Sequence, residues 1–464
     1  MKRTNTLWLL VALLVGSLVI AACAGAPAAQ APAEETQAVE QPAASEEVVT
    51  IRYSLWDANQ LPAYQQCADD FMAANPNIKI EISQTGWGDY WNDLQTSMVA
   101  GTAPDVFTNH LAKYPEFAAK GQLVDIQPFV ERDGVDLSIY LGDLADLWAR
   151  DGKRFGLPKD WDTISIVYNK DLLDAAGVTV EELNNATWNP EDGGTFGEII
   201  ARLSIDANGN NGLSPDFDPT NVVQYGYVIP YTDGGGAYGQ TQWSYLAVST
   251  GWNFIDHLYA TEYHYDDPRF IATIDWYAGL IKKGFTVPFD ESSSLGGQAI
   301  FEAGNKAALT SDGSWMIGEY ANNTQGTVGF ARLPIGPEGR KSMFNGLADS
   351  IWTGTKHVEE AWQWVKYLAS PDCANTVGDF GVVFPAQQEA VNRALAAYQK
   401  RGLDVSAFTE QALEPNGTFL FPVTDHASEI SSIMQETMQA IFLGQTSAAE
   451  ALTQANAEVN ALFQ

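Results

Sequence analysis

Val49-Thr50-Ile51-Arg52-Tyr53-Ser54-Leu55-Trp56-Asp57 is the stretch whose reading decides the fold class. Val49, Ile51, Tyr53 and Leu55 alternate with Thr50, Arg52 and Ser54, and a period of two marks a strand with unlike faces. Pro62 then opens a helical stretch to Asn75, and Ile78 to Ile82 alternates again. A second helix is expected from Asp89, which can cap it, to Ala100, with Gly101 as the left-handed residue that ends it. Asp105 to Thr108 reads as a third strand. Strands separated by helices of about 10 to 15 residues are crossover units, which give a mostly parallel sheet covered on both faces. The chain is therefore expected to be α/β. Further helices are expected over Val358 to Ala369, Ser428 to Phe442 and Ala448 to Phe463, the last two separated at Gly444.

Upstream of the first strand the sequence reads as an address. Lys2 and Arg3 precede an apolar run from Leu7 to Ile20, followed by Ile20-Ala21-Ala22-Cys23. The run falls short of the roughly 20 residues that a bilayer span needs and suits an export signal. Small residues before a cysteine resemble the bacterial lipobox, in which residues 1–22 are removed and Cys23 carries the lipid. Residues 23–47 are Ala, Pro, Gln and Glu with little to bury, a disordered tether. The expected location is extracytoplasmic, with membrane contact through the lipid anchor only. Cys67 and Cys373 remain, either as a disulfide or as two buried thiols.

Composition removes several function classes. Of 464 residues, 25 are Lys or Arg and 58 are Asp or Glu, for a net charge of -33. Nucleic acid binding needs clustered cations, and no basic stripe follows Arg3. Cleavage after Ala22 would remove two bases and no acid, so the mature chain is more acidic still and poorly suited to phosphorylated or uronic acid ligands. No G-x-S-x-G, H-E-x-x-H or Walker loop occurs. Gly234-Gly235-Gly236-Ala237-Tyr238-Gly239 follows the turn Tyr231-Thr232-Asp233 and opens no helix, so it reads as a flexible loop.

Five segments, in order, resemble the extracellular solute-binding proteins of sugar ABC importers, relatives of maltose-binding protein. Gly101-Thr102-Ala103-Pro104-Asp105-Val106-Phe107 is similar to the family's G-x-x-P-D-V strand, and Leu157-Pro158-Lys159-Asp160-Trp161-Asp162 to its hinge-crossing strand. Phe301-Glu302-Ala303-Gly304-Asn305-Lys306-Ala307-Ala308 with Gly313-Ser314-Trp315 resembles its F-x-x-G-K-A-A block, with Asn305 inserted before the lysine. Leu333-Pro334 through Gly346 with Ala361-Trp362-Gln363-Trp364, and Gly444 through Ala451, resemble its late strand, helix and C-terminal helix pair. The resemblance implies a type II periplasmic-binding-protein-like fold of two lobes with ligand between them. The first lobe would hold 48–165 and 335–395, the second 166–334 and 396–464. It implies no enzyme activity, and a monomer that delivers a neutral saccharide, expected to be an oligosaccharide, to an ABC permease and its ATPase. A glycoside hydrolase, a lectin and a solute-binding protein for a non-sugar ligand are the alternatives.

A saccharide needs aromatic planes for its ring faces and carboxylates or amides for its hydroxyls. Ligands in α/β folds bind at the carboxyl ends of strands, where Trp56-Asp57, Asn109 and Trp161-Asp162 fall. Trp315, matched to the family's block, is the strongest stacking candidate; Trp243, Asn345 and Gly346 complete the expected site. Trp362 and Trp364 lie on a helix and are assigned to packing. No cofactor is required. Asp206-Ala207-Asn208-Gly209-Asn210-Asn211-Gly212 with Asp216 and Asp218 resembles the start of a calcium loop. Its glycine comes one place late and Phe217 stands where a glutamate is expected. The readings are a structural calcium held by Asp206, Asn208, Asn210, Asp216 and Asp218, or an Asn/Gly turn.

Overall fold

The computed structural model describes residues 48–230 and 236–464. The expected signal 1–22, Cys23, the tether 23–47 and residues 231–235 of the glycine loop lie outside the described residues.

The strand Val49–Leu55 pairs in parallel with Ile78–Gln84, Val49 opposite Ile78, and with Val106–His110. The helix Leu61–Ala74 carries Pro62 in its first turn, where a missing N–H costs nothing, and buries Ala63, Tyr64, Cys67, Ala68 and Phe71 as one stripe. The next helix, Trp87–Ala100, begins behind Gly86, two residues before the expected cap. Asp89 lies in its first turn, where its charge suits the positive helix end, and Gly101 ends it at φ 72°.

From edge to edge the first sheet runs Phe384–Pro385, Leu157–Asp162, Ser342–Ile351, Val106–His110, Val49–Leu55, Ile78–Gln84, and Thr418–Leu420 pairs with the start of Ser342–Ile351. The second runs Val328–Ala331, Ile164–Asn169, Ala307–Gly313, Val222–Tyr227, Ile205–Asp206. The N-terminal crossover strands are parallel, as their spacing requires. Antiparallel pairs enter where Leu157–Asp162, Ile164–Asn169 and Ser342–Ile351 pass through, so each sheet is mixed.

These sheets are the cores of two lobes. The chain first crosses at Thr163, between a strand of each sheet, and returns along Ser342–Ile351. Its last crossing lies between the helices Gln388–Lys400 and Ser406–Leu413. The first crossing lies two residues before the expected 165, and the other two lie after the expected 335 and 395. Residues 335–341 stay with the second lobe because Ile335 bridges Thr187 and accepts the Trp188 N–H at 2.8 Å. Helix Gln388–Lys400 stays with the first because it packs on Pro371–Phe380.

Cys67 and Cys373 form a disulfide that joins the helices Leu61–Ala74 and Pro371–Phe380 of the first lobe. Trp362 and Trp364 are both fully buried. They face different partners: the Trp362 indole donates to Asp133 Oδ2 at 2.9 Å, while Trp364 packs on Tyr53 and Phe71.

Candidate functional site

A cleft of about 240 Å³ is lined by both lobes and by the strands that cross between them. The crossing strands supply Asp162, Asn345 and Leu347, and the neighbouring strand supplies His110. Trp56, Asp57 and Gln60, which follow the first strand, and Trp87 at the head of the next helix form the first-lobe wall. Gln240, Thr241, Trp315 and Met316 form the second-lobe wall. The tryptophans are held by packing. Trp56 meets Trp87 edge to face, centroids 5.1 Å apart at 77°, and Trp91 at 5.3 Å. Trp315 folds over Gly313, where a Cβ would sit 1.9 Å from the indole, so only glycine permits that position.

The polar groups are held with equal care. His110 Nδ1 accepts the Ala112 N–H at 3.1 Å, leaving Nε2 as the N–H donor of the neutral ring. Burial, then the charge of Lys113, pushes the His110 pKa down to about 3, so the ring stays neutral. Asp57 accepts the Asn59 backbone N–H and the Gln60 amide, each at 2.8 Å, and burial still raises its pKa. Asp162 accepts the Ser314 hydroxyl at 2.9 Å, a bond across the first crossing. Burial, then the nearby Asp160, pushes Asp162 well above the usual carboxylate range. Burial likewise pushes Asp160 up to about 7, against the lowering charge of Lys159. Lys159 itself is sealed beneath the cleft, 3.3 Å from Asp349 and 3.0 Å from the hydroxyls of Tyr53 and Thr108. Asn345 is buried, and its Oδ1 has no hydrogen-bond partner among the described residues.

A profile of the bacterial extracellular solute-binding protein family matches residues 57–374. The chain belongs to that family. UspC of M. tuberculosis is 27% identical, with a TM-score of 0.68 over 89% of this chain and 100% of its own. The substrate-binding protein Lmo0181 of Listeria monocytogenes, solved in complex with cycloalternan, has a TM-score of 0.77 at 19% identity, over 90% and 99% of the two chains. The maltodextrin-binding protein MdxE of Bacillus subtilis (strain 168) is 25% identical over 275 residues, 58% of each chain. Among the described residues, no helix of this solute-binding protein is long and apolar enough to cross a membrane.

Of the residues expected at the site, the cleft brings together Trp56, Asp57, Asp162, Trp315 and Asn345. Four others lie elsewhere. Asn109 is fully buried, donates to Ser350 Oγ at 3.1 Å and accepts the His110 N–H, so its amide is structural. Trp161 is packed against Phe344 and Phe384 at 5.9 and 5.0 Å, nearly parallel to both. Gly346 pairs with Trp161, and its Cβ would point to Leu144 at 3.2 Å. Trp243 is fully buried among Trp252, Phe254 and Phe270 in the second-lobe core.

Sequence reasoning missed Gln60, Trp87, His110, Gln240, Thr241, Met316 and Leu347. Most stand one to three residues from an expected position, and Trp87 follows the carboxyl end of Ile78–Gln84, where the strand-end rule applies.

In the Asp206 loop the Asp206 carboxylate is engaged by donors of its own turn. Asp206 Oδ1 accepts the N–H groups of Asn208 and Asn210, and Oδ2 accepts Asp218 N–H and the Asn210 amide, at 2.8 to 3.1 Å. Asp218 turns instead to Thr220, and Asp216 and Asn208 are exposed. Among the described residues, no group of three or more His, Cys, Asp or Glu converges on one point.

Proposed function

We propose that this protein is an extracytoplasmic receptor that encloses a saccharide between its lobes and hands it to an ABC permease. Residues 1–22 are a lipoprotein signal, and Cys23, the first residue after its removal, carries the anchor. One observation carries the ligand class: Trp56 and Trp87 from one lobe and Trp315 from the other line the same cleft as Asp57, Asp162, Gln60, Asn345 and His110. Indole planes cover sugar ring faces, and the polar set satisfies hydroxyls that would cost about 1 to 3 kcal/mol each if buried unpaired. That the Listeria relative is complexed with cycloalternan supports an oligosaccharide. Because both lobes contribute, ligand favours the closed arrangement through its differential affinity, which is the signal a permease reads. The cleft serves capture and release; no covalent step is assigned to it.

The test is titration calorimetry with tryptophan fluorescence on the mature protein against mono- and oligosaccharides. Saturable binding with a fluorescence change that Trp315→Ala abolishes supports the reading. Absence of binding to every sugar, with tight binding of peptides, refutes it. Mass spectrometry of lipid-modified peptide from membranes tests Cys23.

A further inference from the structure

The charges around the cleft do not balance. Asp57 and Asp162 line it, and Asp160 lies in the adjoining strand segment beneath it, with one oxygen accepting the Leu347 N–H at 3.1 Å and the other without a partner among the described residues. Asp349 is buried close by. Against these four carboxyl groups stands one buried cation, Lys159, which is committed to Asp349 and lies over the Tyr64 ring at 3.8 Å. Among the described residues, no Lys or Arg lines the cleft. The next cation, Lys113, sits over the Trp91 ring, and His110 is neutral.

A neutral ligand brings no counter-charge to these carboxyl groups. Buried carboxyl groups without a counter-charge stay protonated or take up a cation. The other features of the cleft favour the second outcome. Trp56 and Trp87, at nearly right angles, with Trp315 across from them, form the aromatic surroundings that attract ammonium groups. The partnerless Asn345 Oδ1 is an acceptor waiting for a donor and is opposite Asp162 in the strand register. We infer that the solute carries a protonated amine, held by Asp162 and Asp57 between the tryptophans, so that the ligand is an amino-bearing saccharide rather than a neutral one. This inference rests on the saccharide reading above.

A proton readout accompanies it. The groups that face Asp162 are Asp160, Asp57, the Ser314 hydroxyl and, at longer range, Tyr64 and Tyr398; Lys159 and Asp349 act through Asp160. Burial and like charge raise the Asp162 pKa in the free protein. An arriving ammonium favours the carboxylate, so the proton leaves Asp162 for solvent as the amine binds.

The experiment is calorimetry at pH 7 in buffers of different ionisation enthalpy, using matched triads. These are glucosamine, N-acetylglucosamine and glucose, the corresponding galacto set, and the β-1,4 disaccharides of each. The expected result is a preference of about tenfold or more for the free-amine member of a triad, with buffer-dependent heat that reports proton release. Asp162→Asn should bring the amine-to-neutral ratio near one, and Asp57→Asn serves if that variant misfolds. A neutral or acetylated member binding as tightly as the amine overturns the inference while leaving the saccharide reading intact. Binding of alkyl diamines with no sugar bound overturns both the amino-saccharide inference and the saccharide reading. No binding in any triad overturns the inference as well.

Discussion

Replacing Lys159 by Met removes the cation paired within the buried acidic cluster, and the geometry sets the expected cost. Lys159 and Asp349 are each 2% exposed, with Nζ 3.3 Å from Oδ1. At an effective dielectric of about 20 the gross attraction is about 5 kcal/mol, set against a desolvation cost of several kcal/mol for each ion. Losing one partner of such a pair typically costs about 3 to 5 kcal/mol, because the other charge stays buried. Here Asp349 would keep the Tyr53 and Thr108 hydroxyls as donors at 2.8 and 2.9 Å, which places Lys159→Met near about 3 kcal/mol. Asp349→Asn strands the ammonium and should cost about the same. The double variant strands neither charge, and Asn still offers an oxygen to both hydroxyls, so its cost should fall at least about 2 kcal/mol short of the sum. Urea unfolding of the four proteins at pH 7, followed by far-ultraviolet circular dichroism, measures the cycle. Additivity within about 0.5 kcal/mol would refute the reasoning, since independent sites behave that way.

Three further outcomes are expected. Asp160 has a folded-state pKa raised to about 7, so its neutral form's contribution is complete below the ordinary carboxyl range and is lost as pH rises toward 7. Asp160→Asn should therefore gain in melting temperature relative to the parent between pH 5 and pH 8, and an equal difference at both values would contradict this. Trp243→Ala should cost about 3 to 5 kcal/mol in urea while the folded fraction binds ligand normally, whereas Trp87→Ala should lose tenfold or more in affinity with a small change in stability. Opening the Cys67–Cys373 bridge, which spans 306 residues of chain, with Cys67→Ser/Cys373→Ser should lower stability by up to about 5 kcal/mol; an unchanged urea midpoint would show that the unfolded chain is not constrained by it.

The α/β class was legible because alternation and helix punctuation are local, and the strands at Val49, Ile78 and Val106 formed where the pattern put them. The mixed sheets were not legible, because strand direction after a crossing depends on which lobe the chain enters. The Asp206 loop shows a different limit. Oxygens spaced for a cation are spaced equally well for N–H groups of the same turn, and Asp206 Oδ1 accepts two of them.

At the cleft, strand ends located the site and the two-residue period decided which side chains reached it. Asp162 pairs with Asn345, and Leu347 pairs with both His110 and Asp160. These neighbours share one face of the sheet, toward the ligand. Trp161 pairs with Gly346 and Phe384, and Asn109 with Ala348, so each points to the other face. Choosing Asn109 over His110, Trp161 beside Asp162, and Gly346 beside Asn345 was in each case an error of one residue, and one residue along a strand reverses the face. Register between strands distant in sequence settles that choice, as with Asn345 opposite Asp162. Once one lining residue of a crossing strand is known, residues two away become candidates and its immediate neighbours become packing. That rule adds Leu347 to Asn345 and removes Gly346 and Trp161.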